Sequence, residues 1–223
     1  MERILEPEVM DTWEEAEEYD SMDFLQVNQA FAESSIEIGP KKGLVLDVGT
    51  GTARIPILIC QQQPEWQIIG IDLSKNMLTI GERNIEKAQL QSQVKLELVD
   101  AKKLPYLEHS FEMVISNSIV HHLSEPLLLF QEVKRVLHPR GGIFIRDLLR
   151  PETPELKQEL VDKYARDCNQ HQRKLFRDSL QAALTIVEVE KIVKDAGIKE
   201  VKIYQSSDRH WTAERKWSKI EEF

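Results

Sequence analysis

The pattern of hydrophobic and polar positions changes at Gly43. Residues 1–39 before it read as helical and acidic, with apolar side chains at scattered positions. From Gly43 onward, short apolar runs alternate with amphipathic stretches, which is typical of βαβ units stacked on a mainly parallel sheet. We therefore predict an N-terminal helical cap over residues 1–39 and one α/β domain over residues 40–223.

The apolar runs predict strands, and the amphipathic stretches predict the helices between them. Strands are expected at 44–48, 67–71, 94–99, 113–116, 143–147, 201–204 and 210–216, the last two forming an antiparallel hairpin. Helices are expected at 53–62, 75–88, 126–137 and 186–197. The basic alternation of strands and helices does not require a further helical region, 154–184. We expect this region to be an insertion over the carboxyl ends of the strands.

Composition and charge narrow the class of protein. The chain carries 29 basic and 38 acidic residues, and its net charge of -9 argues against nucleic acid as a partner. Cys60 and Cys168 form neither a disulfide framework nor a CxxC pair, which favours a reducing, cytoplasmic location. No apolar run approaches the roughly 20 residues that span a bilayer, so we expect no membrane insertion.

The most informative stretch, residues 44–54, is a strand that runs into a glycine-rich turn before a helix. Glycine suits this turn because a ligand approaches the backbone closely only where no Cβ intervenes. A dinucleotide site needs Gly or Ala five residues after the first glycine. This chain has Arg54 there, so the turn disfavours NAD. Asp47 precedes the turn, where a carboxylate can receive a cationic amino group.

The turn reads as an acidic residue followed by alternate small residues, namely Asp47, Gly49, Gly51 and Ala53. Three further motifs follow in order: Asp72 after the second strand, Asp100 and Ala101 after the third, and the Leu-x-Pro-x-Gly-Gly turn of residues 137–142 before the fifth. Together these motifs resemble those of the class I S-adenosylmethionine-dependent methyltransferases, with Ala53 in place of the family's third glycine. The overall pattern is similar to the small-molecule group that contains the quinone C-methyltransferases.

The resemblance implies a Rossmann-like seven-stranded sheet whose last strand is antiparallel, with S-adenosylmethionine as cofactor. In the family, the acid after the second strand binds both ribose hydroxyls, which suits Asp72 because a carboxylate accepts two hydrogen bonds at once. By the same resemblance, Asp100 and Ala101 contact the adenine, while Asp47 and Asn117 orient the methionine end. The implied cofactor-binding residues are Asp47, Gly49, Thr50, Gly51, Asp72, Leu73, Met77, Asp100, Ala101 and Asn117.

His121 and His122 are the candidate catalytic residues. They follow the fourth strand, where the family places cofactor-contacting and sometimes catalytic groups. An imidazole with a pKa of about 6.5 suits proton removal from a hydroxyl, a thiol or an activated carbon. A general-base role and a positioning role both stay open. No spacing of Cys, His and Asp resembles a metal site, so we expect no metal.

Several residues outside these motifs are expected near the same rim. Arg146 and Asp147 end the fifth strand and are expected to form a surface ion pair, with substrate contact as the alternative. The segments 1–39 and 154–184 are expected to converge over the strand ends as a lid, or else to cover apolar sheet surface or make a dimer contact. Their aromatic residues are Trp13, Tyr19, Phe24, Tyr164 and Phe176.

The sequence therefore predicts an S-adenosylmethionine-dependent methyltransferase that acts on a small molecule. Two alternatives stay open. A methyltransferase that acts on RNA or protein would need a basic or grooved docking surface, and a non-catalytic protein would have kept the nucleoside site but lost the acceptor site. The sequence determines neither the acceptor, nor the methylated element, nor the oligomeric state.

Overall fold

Seven strands form a single sheet in this computed structural model, which describes residues 1–6, 12–22 and 24–219. The strands are β1 (Gly43–Val48), β2 (Trp66–Asp72), β3 (Val94–Leu98), β4 (Phe111–Asn117), β5 (Leu137–Leu148), β6 (Lys202–Gln205) and β7 (His210–Arg215). Their order across the sheet is β3-β2-β1-β4-β5-β7-β6. Strands β1 to β5 pair in parallel, whereas β7 pairs antiparallel with both β5 and β6. The predicted Rossmann-like sheet with an antiparallel last strand is confirmed.

Helices cover both faces of the sheet. Among the described residues they are α1 (Trp13–Ser21), α2 (Leu25–Ile38), α3 (Arg54–Cys60), α4 (Lys75–Ala88), α5 (Pro126–Val136), α6 (Pro154–Tyr164), α7 (Gln170–Ala182) and α8 (Ile186–Asp195), with a 3₁₀ turn at Val120–His122. The Ser74 side chain accepts a hydrogen bond from the Met77 amide and so fixes the start of α4 directly after β2. None of the helices in the described part of the chain is long and apolar enough to span a membrane.

Two expectations about local structure are wrong. Residues 1–6 are not helical, because the Ile4 amide and the Arg3 guanidinium donate to carbonyls at the end of α7 instead. The helical reading of residues 7–11 and 23 lies outside the described residues. The turn expected before the fifth strand lies within β5, since pairing with β4 moves from Leu137 to Gly142 and leaves a bulge between them.

The core has two main parts, one on each face of the sheet. Side chains along β1 alternate between them, so that Leu46 packs with the α5 and α8 side while Val45 packs with the α2 and α3 side. Phe31 on α2 is fully buried, and its ring lies 4.9 Å from that of Phe144 on β5. Helix α2 is therefore a layer of the core. This agrees with the alternative that the segment covers apolar sheet surface rather than forming a lid.

Candidate functional site

The glycine-rich turn after β1 forms one wall of a cleft at the carboxyl ends of the strands. Gly49 and Gly51 have φ of +75° and +54°, in the left-handed region that favours glycine. A Cβ on Gly49 would lie 2.8 Å from the Cβ of Ile119, so no larger residue fits there. The amides of Gly49 and Thr50 both donate to the Ile71 carbonyl at 2.9 Å, which folds the turn back onto the end of β2.

Asp72 lies at the end of β2, between this turn and the start of α4. One of its carboxylate oxygens accepts a hydrogen bond from the Gly51 amide at 2.9 Å, and the other accepts one from the Ser74 amide at 2.9 Å. Burial raises the pKa of Asp72, although these backbone donors act in the opposite direction. Each oxygen keeps a second lone pair, so the carboxylate can still accept two hydrogen bonds from a ligand.

The opposite walls come from β3 and β4. Asp100 accepts a hydrogen bond from the Lys102 amide at 2.8 Å and pairs with the Lys102 ammonium at 3.1 Å. Asn117 ends β4 and lies beside the loop that carries Ile119. The structure brings most of the predicted cofactor residues to the wall of this cleft, namely Gly49, Gly51, Asp72, Leu73, Met77, Asp100, Ala101 and Asn117. About 790 Å³ of empty space lies in and around the cleft, part of it open to solvent.

Asp47 and Thr50 do not line the cleft. Both are buried, Asp47 with only 2% of its surface exposed. Burial raises the pKa of the Asp47 carboxyl to about 7, although the Thr50 hydroxyl acts in the opposite direction, and the neighbouring charge of Asp72 adds to the rise. The Oδ2 atom of Asp47 has no hydrogen-bond partner among the described residues. Asp47 therefore holds an unsatisfied acceptor beneath the cleft.

Tyr19 on α1 lines the cleft, and the sequence placed it only among the aromatic residues of a lid. Its ring lies 3.7 Å from where a Cβ on Gly51 would be. Helix α1 is tied to the turn by Asp20, whose carboxylate accepts hydrogen bonds from Arg54 at 2.9 Å and from Asn84 at 3.0 Å. Arg54, which the sequence used only to argue against NAD, thus anchors α1 over the glycine-rich turn.

No residue of the inserted segment 154–184 lines the cleft. Tyr164 instead donates a hydrogen bond to Asp208 at 2.8 Å on the surface, and Phe176 packs in a small cluster with Leu148 and Leu160. Among the described residues of the two segments expected to form a lid, Tyr19 on α1 is the one that lines the cleft.

The two histidines of the 3₁₀ turn differ in their surroundings. His122 lines the cleft, whereas His121 is buried behind it and its Nδ1 lies 2.5 Å from the carboxylate of Asp147. Burial lowers the pKa of His121, but the negative charges of Asp147 and Glu6 raise it by more than burial lowers it. The net shift of the pKa is therefore upward. The pKa of Asp147 is lowered because His121 and backbone donors outweigh the opposing effect of its burial.

The expectation that Arg146 and Asp147 form a surface ion pair is wrong. Asp147 is fully buried and its carboxylate accepts hydrogen bonds from the amides of Val120 and His121, so the charge is satisfied from inside. Arg146 instead donates to the Thr212 hydroxyl at 3.1 Å, and its guanidinium lies 5.1 Å from the ring centre of Phe144. Neither residue lines the cleft.

Comparison with known proteins gives matches over most of the chain. A family model described as a methyltransferase domain matches residues 41–216. The chain is 32% identical over 197 residues to the biotin biosynthesis bifunctional protein BioHC of Teredinibacter turnerae, covering 83% of this chain and 32% of that protein. It is 34% identical over 115 residues to a demethylmenaquinone methyltransferase of Porphyromonas gingivalis, covering 51% and 47%. The chain therefore spans at most about half the length of these curated relatives.

Solved structures share the fold at low sequence identity. A putative S-adenosyl-L-methionine-dependent methyltransferase from Methanococcus maripaludis superposes with a TM-score of 0.75 at 20% identity, covering 98% of this chain and 99% of that one. A SAM-dependent methyltransferase from Aquifex aeolicus superposes with a TM-score of 0.69 at 22% identity, covering 91% and 97%. These likenesses concern the architecture of the sheet and its helices.

Proposed function

The chain belongs to the methyltransferase domain family, and we propose that it transfers the methyl group of S-adenosylmethionine to a small-molecule acceptor. The observation that carries the proposal is the convergence of Asp72, Asp100 and the glycine-rich turn on one cleft. Acidic groups at neighbouring strand ends, beside a turn without Cβ atoms, suit a nucleoside joined to an amino acid.

Each wall of the cleft has a proposed part in holding the cofactor. Asp72 accepts hydrogen bonds from the two ribose hydroxyls through its remaining lone pairs. Asp100 and Ala101 contact the adenine, and Leu73 and Met77 pack beside the nucleoside. Gly49 and Gly51 let the methionine part approach the backbone, Asn117 orients its polar end, and Thr50 supports the turn from below.

The Oδ2 atom of Asp47, which has no hydrogen-bond partner in the described part of the chain, is an argument for a cationic ligand in the cleft above it. A buried acceptor without a partner is costly, and the nearby ammonium of an amino acid offsets that cost electrostatically. Bound S-adenosylmethionine supplies an electrophilic methyl group on its sulfonium. The protein holds the acceptor in line with that methyl and excludes water from the cleft.

The sequence left a general-base role and a positioning role open, and we assign one role to each histidine. His122 lines the cleft, so it is the candidate to take a proton from the acceptor. His121 does not line the cleft, and its hydrogen bond with Asp147 makes it a positioning residue for the 3₁₀ turn.

A small acceptor is supported by charge and by the relatives. The net charge of -9 opposes docking of a polyanion such as RNA. One relative is named for demethylmenaquinone and another for biotin biosynthesis, and both names concern small molecules. A cytoplasmic location belongs to the same proposal, because Cys60 and Cys168 are both free thiols, and cell fractionation tests it.

Two measurements test the proposal. Calorimetric titration is expected to show binding of S-adenosylhomocysteine and no response to NAD. Incubation with methyl-labelled cofactor and a metabolite extract is expected to label a small molecule, with a yield that ribonuclease and protease leave unchanged. Label in RNA or protein would favour a macromolecular acceptor. Binding of the cofactor without transfer to any fraction would identify a non-catalytic protein.

A further inference from the structure

The N-terminal segment, residues 1–6, contacts the end of α7 and the 3₁₀ turn. The Arg3 guanidinium donates to the Ala182 carbonyl at 2.6 Å and to the Leu123 carbonyl at 3.0 Å. The Ile4 amide donates to the Gln181 carbonyl at 3.3 Å. These contacts fix the direction of the segment and bring Glu6 against the two histidines.

Glu6, His121 and His122 form a compact cluster that is largely shielded from solvent. The Oε1 atom of Glu6 lies 3.5 Å from the Nε2 atom of His121 and 3.3 Å from the Nδ1 atom of His122. The exposed fractions of the three side chains are 10%, 4% and 21%. One potential ligand atom from each residue lies within 4.8 Å of the other two.

We propose that Glu6, His121 and His122 bind a divalent transition-metal ion, with Zn²⁺ as the best-matched ion. Two imidazoles and one carboxylate are a donor set that suits Zn²⁺. A tetrahedral ion with ligands at about 2.1 Å holds neighbouring ligand atoms about 3.4 Å apart. The two distances from Glu6 agree with this spacing, and the third separation, between the two imidazole nitrogens, is within 4.8 Å, so the histidine rings adjust when an ion enters.

The residues around the cluster orient the ligands in the way that metal sites require. Asp147 occupies the Nδ1 side of His121 at 2.5 Å, which leaves Nε2 directed at Glu6. Asp147 is itself held by the amides of Val120 and Leu148. The Ser179 hydroxyl donates to Glu6 at 2.9 Å and steadies the carboxylate. The donor set is therefore preorganised.

A metal ion here would join the N-terminal segment, through Glu6, to the wall of the cleft, through His122. A neutral His122 bound through Nδ1 carries its proton on Nε2, so the metal-bound form would exclude the general-base role proposed above. Three protein ligands leave a fourth position for water or another ligand. The competing explanation is an ion pair without metal, in which a protonated His121 lies between Glu6 and Asp147. From the sequence we expected no metal, and the proposal departs from that expectation because Glu6 and the histidines are brought together only by the fold.

Metal titration of the full-length protein separates the two explanations. The protein is treated with a chelator, dialysed, and titrated with ZnCl₂ by calorimetry. One Zn²⁺ ion is expected to bind with high affinity, and the melting temperature is expected to rise with it. Glu6→Gln is expected to weaken binding by about 10-fold to 100-fold or more, because it removes an anionic ligand while keeping the shape of the side chain.

Two further variants, His122→Gln and His171→Gln, are measured beside Glu6→Gln. His122→Gln tests a second ligand and is expected to weaken binding by a similar factor. His171 is exposed on α7 and outside the cluster, so His171→Gln is expected to bind as the wild type does. Circular dichroism checks that each variant is folded. Replacement of Zn²⁺ by Co²⁺ adds a second measurement, since a tetrahedral site gives a visible absorption band that both ligand variants are expected to lose.

Several results would overturn the proposal. No binding of Zn²⁺ by the metal-free wild type would leave the ion pair as the explanation. Equal affinity in the wild type and folded Glu6→Gln would remove Glu6 from the ligand set. Loss of binding in His171→Gln, with unchanged binding in His122→Gln, would locate the ion elsewhere on the surface.

Discussion

The carboxylate of Asp20 lies 2.9 Å from the guanidinium of Arg54, and this pair fastens the end of α1 to the helix behind the glycine-rich turn. Tyr19, the neighbour of Asp20, thereby lies over the cleft. The pair is partly exposed, so its contribution to global stability is expected to be about 1 kcal/mol or less. Its larger effect is on the local order of α1.

We expect Asp20→Asn to loosen α1 without unfolding the protein. Hydrogen exchange of residues 12–22 is expected to speed up, and affinity for S-adenosylhomocysteine is expected to fall severalfold because Tyr19 is less well held. Asp178→Asn, in the exposed pair with Lys174, is the control and is expected to change neither quantity. Unchanged exchange in α1 would show that other contacts hold the helix.

Asp72→Ala is expected to weaken binding of the cofactor product by roughly 2 to 5 kcal/mol, as two hydrogen bonds to a carboxylate are lost with partial replacement by water. The residue lies at a strand end, so the fold is expected to survive. Calorimetric titration measures the affinity. Asp195→Ala, on the far end of α8, serves as the control. An affinity within about threefold of wild type, or about 0.6 kcal/mol, would contradict the ribose assignment.

Asp47 predicts a pH-dependent stability with a defined sign. Its pKa is about 7 in the fold against 3.8 as a free group, so the stability it contributes is complete below about pH 4 and is lost as the pH rises through 7. Asp47→Asn cannot ionise. We expect the variant to be more stable than the wild type above pH 7 by a few kcal/mol, at about 1.4 kcal/mol per unit of pKa shift.

Urea unfolding of both proteins at pH 5 and pH 8 measures this difference, which is expected to grow with pH. The same substitution is expected to weaken cofactor binding, because it removes the negative charge beneath the cleft. A stability difference that stays constant across this pH range would show that Asp47 does not titrate there.

The helices α1 and α2 are expected to behave differently. Phe31→Ala on α2 is expected to cost about 3 to 5 kcal/mol of unfolding free energy, because it empties a fully buried site against Phe144. Hydrogen exchange is expected to show α2 protected with or without ligand, whereas α1 gains protection when S-adenosylhomocysteine is added. Equal protection of α1 in both states would make it a fixed layer.

Sequence patterns predict the elements that depend on neighbouring residues. Helix α4 begins and ends at the predicted residues, since its apolar face, its cap at Ser74 and its end at Gln89 are all local signals. The helix expected at 186–197 ends at Asp195, and Gly197 just beyond it has the left-handed φ of +70° that is typical of a glycine after a helix.

Contacts between distant segments could not be predicted in this way. Nothing near Asp147 in the sequence indicates that amides of the 3₁₀ turn will satisfy its carboxylate inside the core. Likewise, Ile4 and Arg3 in residues 1–6 donate hydrogen bonds to carbonyls at the end of α7, far along the chain. The cluster of Glu6 with the two histidines depends on both of these sets of contacts. The periodicity of apolar residues in the sequence carries no information about it.

Ile119 has a consequence for any redesign of the cleft. It lines the cleft, and its side chain fills the space that a Cβ on Gly49 would occupy. A bulkier residue at position 119, introduced to reshape selectivity, would push directly on the turn expected to hold the methionine end. The shape of the cleft and the conformation of the glycine-rich turn are thus coupled through one aliphatic side chain, so a substitution at position 119 is expected to change both.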